Sequence, residues 1–194
     1  MEAKRRDIQI RQMTEADLAL VSALQLRAFP GMQPWKPEFL LKHIATFPEG
    51  RLVAVNKGGS IVGSASSLII DWDDYAESAR WSAITGHGTF STHNPLGKTL
   101  YGADMGVDPS CRRCGIGTLF YEARKKMVRE RKLKRLLIGG RLPGYASMAN
   151  ELSVKQYVAD VVAGRRQDPT LSFCSVSAIR RQFSQGHSHL DDDT

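Results

Sequence analysis

The stretch from Tyr101 to Leu119 limits what this chain can fold into more than any other. It reads Tyr-Gly-Ala-Asp-Met-Gly-Val-Asp-Pro-Ser-Cys-Arg-Arg-Cys-Gly-Ile-Gly-Thr-Leu. The alternation predicts a strand through Val107. Leu100, Gly102, Asp104 and Gly106 fall on one face, and Tyr101, Ala103, Met105 and Val107 on the other. The second face is bulky enough for a core. The first is nearly bare, leaving room for something other than side chains. Gly106 permits a bulge that would free backbone groups at the strand's end.

Asp108-Pro109 stops the strand, and Arg112, Arg113, Cys114, Gly115, Ile116 and Gly117 lead into Leu119, Phe120, Ala123 and Met127, an apolar stripe at helical spacing. The loop therefore sits at a helix N-terminus, where unpaired N–H groups and the helix dipole attract anions. Glycines let a phosphate approach the main chain, the arginines add forked positive donors, and Thr118 adds a hydroxyl in the first turn. Together these predict a pyrophosphate seat at the end of a strand. Gly-x-Gly-x-x-Gly spacing is absent, which argues against a dinucleotide loop.

At 194 residues, with 42% hydrophobic and 24% charged residues, the composition is that of one globular domain with a sizeable core. No run of about 18 apolar residues predicts a membrane span, and Met1–Asp7 lacks the apolar centre of a signal peptide. A cytoplasmic protein is expected, in agreement with an odd cysteine count of three. The net charge is +7. Much of it lies between Arg112 and Arg135, read as a solvated helix face that also draws in a polyphosphate. A nucleic-acid face is set against this, because beyond Tyr121 no aromatic interleaves with the charges.

In chain order, Ile8–Met13 alternates as a first strand, and Thr14 with Asp17 resembles a capping box opening a helix whose buried side is Leu18, Val21, Leu24 and Leu26. Pro37 begins a second helix with Phe39, Leu40, His43 and Ile44 inward. Arg51–Asn56 and Ile61–Asp71 form a hairpin across Lys57-Gly58-Gly59-Ser60. The aromatic-rich segment Asp71–Pro95 has little periodicity and is expected to wall a substrate pocket; its His87 and His93 complete no metal pattern. Arg135–Gly140 reads as a buried strand, Ser153–Ala163 as a capped helix ended by Gly164, Asp168–Ser177 as a short helix, and Ala178–Phe183 as a last strand. Residues 1–183 then form one domain and 184–194 a polar tail. Cys111-x-x-Cys114 has redox spacing, but it lies inside the anion loop, whose geometry already accounts for the site.

Arg112-x-x-Gly115-x-Gly117 after Met105-Gly106-Val107 resembles the acyl-CoA loop of GNAT-type N-acetyltransferases, and the order of elements is similar to that fold over most of the chain. Glu49-Gly50, Ile84–His93, Leu100–Asp104 and Gly139–Tyr145 further resemble the GNAT domain that precedes a carbon–nitrogen hydrolase (nitrilase-like) domain in certain bacterial two-domain proteins. The resemblance spans roughly residues 8 to 175 and fades after Phe173. It implies an α/β fold with a mixed central sheet flanked by helices, its last strand open to loss.

The resemblance also implies acetyl transfer from acetyl-CoA, as co-substrate and without a metal, to a primary amine by direct attack. Met105, Gly106 and Val107 would hold the pantetheine arm. The N–H groups of Cys114, Gly115, Ile116, Gly117 and Thr118, with Arg112 and Arg113, would hold the pyrophosphate. Asp104 is the candidate base, or else pairs a nearby loop, and Tyr145 is a candidate acid for the departing thiolate. A small molecule or peptide supplies the amine, and a homodimer or a separate hydrolase is a candidate partner. Non-catalytic CoA binding is the rival reading, discriminated by thiol release against an amine panel.

Overall fold

Among the described residues five strands build one sheet in the order β1-β2-β3-β4-β5. They are β1 Ile8–Gln12, β2 Arg51–Asn56, β3 Ile61–Ile70, β4 Thr99–Val107 and β5 Arg135–Ile138. The structure, a computed structural model, describes residues 7–76, 79–139, 142–168 and 170–171. The first four strands pair antiparallel and β4 pairs with β5 in parallel. That last pairing requires a crossover, supplied by the helix Ile116–Glu130. Every residue of β3 is buried. It reads as a continuous small and apolar run, not an alternating one, because both of its faces are covered.

The helices are α1 Leu18–Ala28, α2 Pro37–Thr46, the one-turn α3 Trp81–Ile84, α4 Ile116–Glu130 and α5 Val154–Val162. α1 and α2 cover one face of the sheet through Val21, Leu24 and Leu40 against Val53 and Ile61. α4 covers the other through Ile116 and Phe120 against Leu52, Ala54, Val62 and Ala65. At the start of α1 the Asp17 carboxylate reaches back to the Thr14 N–H at 2.9 Å, and the Arg11 fork grips it at 2.6 and 2.8 Å. These hydrogen bonds, with Arg11 foremost, hold Asp17 down at about 2.

The expected inward row of α1 needs one correction. Leu26 is 56% exposed, and Gln25 is buried in its place. The helical phase favours position 25, and burial there is tolerated because the Gln25 side-chain oxygen accepts the Trp35 backbone N–H at 2.9 Å.

The chain divides into two compact units. One runs to Tyr75 and resumes over Trp81–Ile138; the other takes Ala76–Arg80 and the described residues from Gly139 onward. The second unit has its own small core of Tyr145, Tyr157, Val161 and Leu171. Ser153 caps α5 through the Gln156 N–H, and the buried Asp168 accepts the Tyr157 hydroxyl at 3.0 Å. β5 is half-buried throughout, not buried as its apolar run suggests, because it stands at the edge of the described sheet. The expected strand Ala178–Phe183 and the tail from residue 184 lie outside the described residues.

Candidate active site

The site is organised by a register slip. Ser66 pairs with Asp104 but Ser67 pairs with Gly102, leaving Ala103 as an extra residue on β4. The bulge is thus at Ala103, not at Gly106, and it breaks the alternation read from the sequence. Gly102 lies on the α4 face, where an added Cβ would stand 2.9 Å from the Arg124 guanidinium. Gly106 lies on the opposite face, under the Phe29 ring. The nearly bare face does not exist: one extra residue moves Asp104 and Gly106 to the face opposite Gly102, and each glycine is covered by a side chain.

Arg124 is no part of a solvated helix face. It is 1% exposed and inserts into the bulge. Its Nη2 donates to the Ser66 and Asp104 carbonyls, both at 2.7 Å, and its Nε donates to the Ser67 hydroxyl at 3.0 Å. A side chain thus supplies donors to carbonyls beside the register slip.

Beyond the bulge, β4 has no partner strand on its β5 side among the described residues. The Asp108 N–H donates to Val62 on β3 at 2.9 Å, so by alternation the peptide groups of Met105 and Val107 point away from β3. On that other side β5 pairs only as far as Gly102 with Ile138. Gly106 pairs with Ser64, and the side chains of Met105 and Val107 pack toward the α4 core.

The edge runs into the anion loop. Asp108 accepts the Ser110 N–H at 3.0 Å and hydroxyl at 2.6 Å, and the Arg27 Nε at 2.8 Å. Ser110 first, then Arg27, hold its carboxyl at about 2. Arg112 and Arg113 are exposed, Arg112 reaching the Ala28 carbonyl at 3.4 Å. Cys111 and Cys114 are free thiols. Gly115 caps α4 with φ +81°, a left-handed conformation that costs glycine nothing and that leaves no side chain over the helix end. The first helical bond of that end is Leu119 N–H to Gly115 at 3.1 Å. The N–H groups of Ile116, Gly117 and Thr118 precede it and have no acceptor within the helix.

On the α1/α2 face, Arg51, Ser66 and Asp104 stand side by side on β2, β3 and β4. Asp104 accepts the Ser66 hydroxyl at 2.7 Å and the Trp35 indole N–H at 2.6 Å. Burial opposes its ionisation, but the Arg51 guanidinium at 3.5 Å and these hydrogen bonds prevail and hold the carboxyl below its usual range. Above them Trp35 meets Trp81 with ring centroids 5.7 Å apart, and His43 stacks on Phe90 at 3.7 Å. Trp81 donates to the Ala103 carbonyl at 2.9 Å, so the segment after β3 packs against the bulge itself. His93 is committed elsewhere, accepting the Ile69 N–H at 3.1 Å. Tyr145 belongs to the second unit, where its hydroxyl donates to the Leu152 carbonyl at 3.1 Å. The sequence pointed to Asp104 and to the loop, but not to Arg51, Ser66 or Trp35, which only the strand register and the α1–α2 connection bring to Asp104.

His43 is buried with its Nε2 on the Gly88 carbonyl at 2.7 Å. Burial, assisted by the Arg51 charge, pushes its pKa from 6.5 down to about 4. The unfolded chain therefore binds a proton near pH 6.5 that the folded chain refuses until about pH 4. The stability is intact above pH 6.5 and is lost as pH falls toward 4. At about 1.4 kcal/mol per unit, roughly 3 kcal/mol disappears across that window. Asp17 and Asp108 act only at lower pH, whereas His93, also pushed down by burial, acts in the same direction. Urea unfolding of wild type and His43→Gln at pH 7 and 4.5 isolates the share of His43. Equal pH dependence in the two proteins would refute it.

A model of the Acetyltransferase (GNAT) family matches residues 18–149. The chain belongs to the GNAT acetyltransferase family. It is 43% identical over 185 residues to the probable hydrolase YhcX of Bacillus subtilis (strain 168), covering 95% of this chain and 36% of that protein, so it spans about a third of that relative. It is 40% identical over 178 residues to the uncharacterized N-acetyltransferase YkwB of the same strain, covering 88% of this chain and 78% of that one. Among solved structures it is similar to the GphF GNAT-like decarboxylase in complex with isobutyryl-CoA, at 27% identity over 85% of this chain and 82% of that one, with a TM-score of 0.67. The loading GNATL domain of CurA from Lyngbya majuscula shares the fold, with a TM-score of 0.72 at 15% identity over 88% of this chain and 83% of that one. The family match and the likeness to YkwB support acyl transfer from an acyl-CoA co-substrate. Among the described residues no helix is long and apolar enough to cross a membrane, and no cluster of three metal-ligating side chains occurs.

Proposed function

We propose that the protein moves an acetyl group from acetyl-CoA to a primary amine by direct attack of the neutral amine. The observation that carries this reading is the continuity of two backbone features: the open edge at Met105 and Val107 runs directly into the uncapped N–H groups at 116–118. An extended amide-bearing arm suits the first and a diphosphate suits the second. Arg112, Arg113 and the N–H groups from Cys114 to Thr118 hold the pyrophosphate, and an N–H near Met105 polarises the thioester carbonyl. The thioester supplies the activated acyl group.

Asp104, ionised at neutral pH, receives the substrate ammonium and relays its proton to water. Its lowered pKa makes it a relay and not a proton store. Tyr145 protonates the departing thiolate, a role that requires its hydrogen bond to Leu152 to be exchanged. The acceptor is a small molecule or a peptide, and the protein works in the cytoplasm. The likeness to YhcX supports the further reading that this is the acetyltransferase half of a GNAT/nitrilase-like pair, acting with a hydrolase domain or subunit.

Release of free CoA thiol from acetyl-CoA, followed against a panel of primary amines, tests the reading. Amine-dependent release at least about tenfold above the amine-free rate is expected. Tight CoA binding with no release for any amine would identify a CoA-binding module instead.

A further inference from the structure

Arg51 is among the largest fully buried side chains, and beyond its charge on Asp104 the proposed reaction gives it no task. It is 1% exposed at the first position of β2. Its Nε–H points to the Met13 sulfur at 3.3 Å, a weak acceptor. Its Nη1 is 3.5 Å from Asp104 Oδ1, beyond the 2.7–2.9 Å of a charge-assisted hydrogen bond. Among the described residues neither Nη1 nor Nη2 has a hydrogen-bond partner. Asp104 cannot serve the fork as it stands, because the Ser66 hydroxyl and the Trp35 indole each claim one of its oxygens. These two donors turn the carboxylate aside and leave the guanidinium paired in charge but not in geometry.

Such an arrangement is costly for a purely structural residue. A buried guanidinium with unmet donors is strongly destabilising, and a methionine or leucine in the same volume would avoid that penalty. The fork lies in the same cross-strand row as Asp104, whose side chain is 18% exposed beside the bulge. The positive fork and the negative carboxylate, 3.5 Å apart, match the adjacent opposite charges of an α-amino acid.

We propose that Arg51 anchors a substrate carboxylate through Nη1 and Nη2 while Asp104 holds the neighbouring ammonium. The substrate class is thus a carboxylate-bearing one, and the inference rests on the acyl-transfer reading above. The carboxylate arrives either on the acceptor amine, as an α-amino acid, or on the acyl group, as a carboxyacyl-CoA. The carboxylate displaces the Trp35 indole from its hydrogen bond to Asp104.

Two arms separate the sources. In the first, acetyl-CoA is offered with α-amino acids and with their α-amides, which differ only in the carboxylate. Wild type is expected to favour the acids by at least about tenfold in kcat/KM, expressed mainly in KM. Arg51→Gln should erase the preference, and Arg51→Lys, with charge but no fork, should retain part of it. In the second, calorimetry compares malonyl-CoA with acetyl-CoA. Tighter malonyl-CoA binding that Arg51→Gln abolishes places the carboxylate on the acyl group. Equal treatment of acids and amides together with equal binding of the two thioesters, or any preference that survives Arg51→Gln, overturns the proposal. If no amine releases thiol, the transfer reading fails, and equal calorimetric binding of the two thioesters then overturns the Arg51 proposal by itself. If Arg51→Gln does not fold, the wild-type comparisons and Arg51→Lys carry the test.

Discussion

Replacing Gly117 with glutamate is expected to weaken coenzyme A binding by about a hundredfold or more, roughly 3 kcal/mol, without lowering the melting temperature. Gly117 is the second residue of α4, following the Gly115 cap and Ile116. A side chain there crowds the N–H groups at 116–118, and a carboxylate repels the diphosphate they are proposed to hold. The effect on folding has the opposite sign. Glycine is about 1 kcal/mol worse than other residues inside a helix, and an acidic side chain in the first turn complements the helix dipole by a further few tenths. Binding and stability therefore move in opposite directions, which a general loss of structure cannot imitate. Calorimetric titration with coenzyme A and a thermal melt on the same sample read both. Gly117→Ala adds bulk without charge and should lose less than about tenfold. Affinity of Gly117→Glu within threefold of wild type would mean that the diphosphate does not dock at this helix end.

That expectation could be framed from the sequence because every part of the seat is local. Gly115 has a left-handed cap conformation, Ile116 begins the helix, and Asp108-Pro109 ends the strand; each acts over a few residues. The strands β1 to β4, the hairpin turn, the Thr14–Asp17 capping box ahead of α1 and the cap of α5 were legible for the same reason. What was not legible depends on register. Nothing in Gly102-Ala103-Asp104 announces that Ala103 is the extra residue, and one misplaced bulge reverses the face assigned to every position on one side of it. Arg51 and Arg124 were missed by a related route. Each has neighbours that suggest a solvent-facing role, Arg51 at a strand start and Arg124 among the lysines of α4. Their burial follows only from what lies across the sheet. Leu26 and Gln25 show the smaller version of this effect, where the helical phase puts position 25 inside and a backbone N–H ten residues away satisfies the polar side chain there.

The largest expected loss of stability is at Arg124. Arg124→Met keeps most of the aliphatic volume but removes the three guanidinium hydrogen bonds at the bulge. The Ser66 and Asp104 carbonyls and the Ser67 hydroxyl then lose the partners that reach them at 2.7 to 3.0 Å. Each such buried group left unmet costs about 1–3 kcal/mol, so a combined loss of roughly 3–5 kcal/mol is expected. That is a large part of the 5–15 kcal/mol that typically holds a domain together. A second substitution tells whether the loss arises at the bulge. The Cβ of Gly102→Ala would meet the Arg124 guanidinium at 2.9 Å, so this change should destabilise wild type by about 1 kcal/mol or more. In the Arg124→Met background the flexible thioether yields, and the same alanine should cost markedly less. Urea unfolding of the four proteins in this cycle measures the coupling. An alanine penalty equal in both backgrounds would show that the guanidinium does not fill the space beside Gly102. A coupling of about 1 kcal/mol would establish that Arg124 and Gly102 form one device, in which a missing side chain on β4 admits the charged group that caps the bulge's carbonyls. Because the Met105 and Val107 edge begins at that bulge, Arg124→Met should also weaken coenzyme A binding, although no atom of Arg124 belongs to the proposed binding surface.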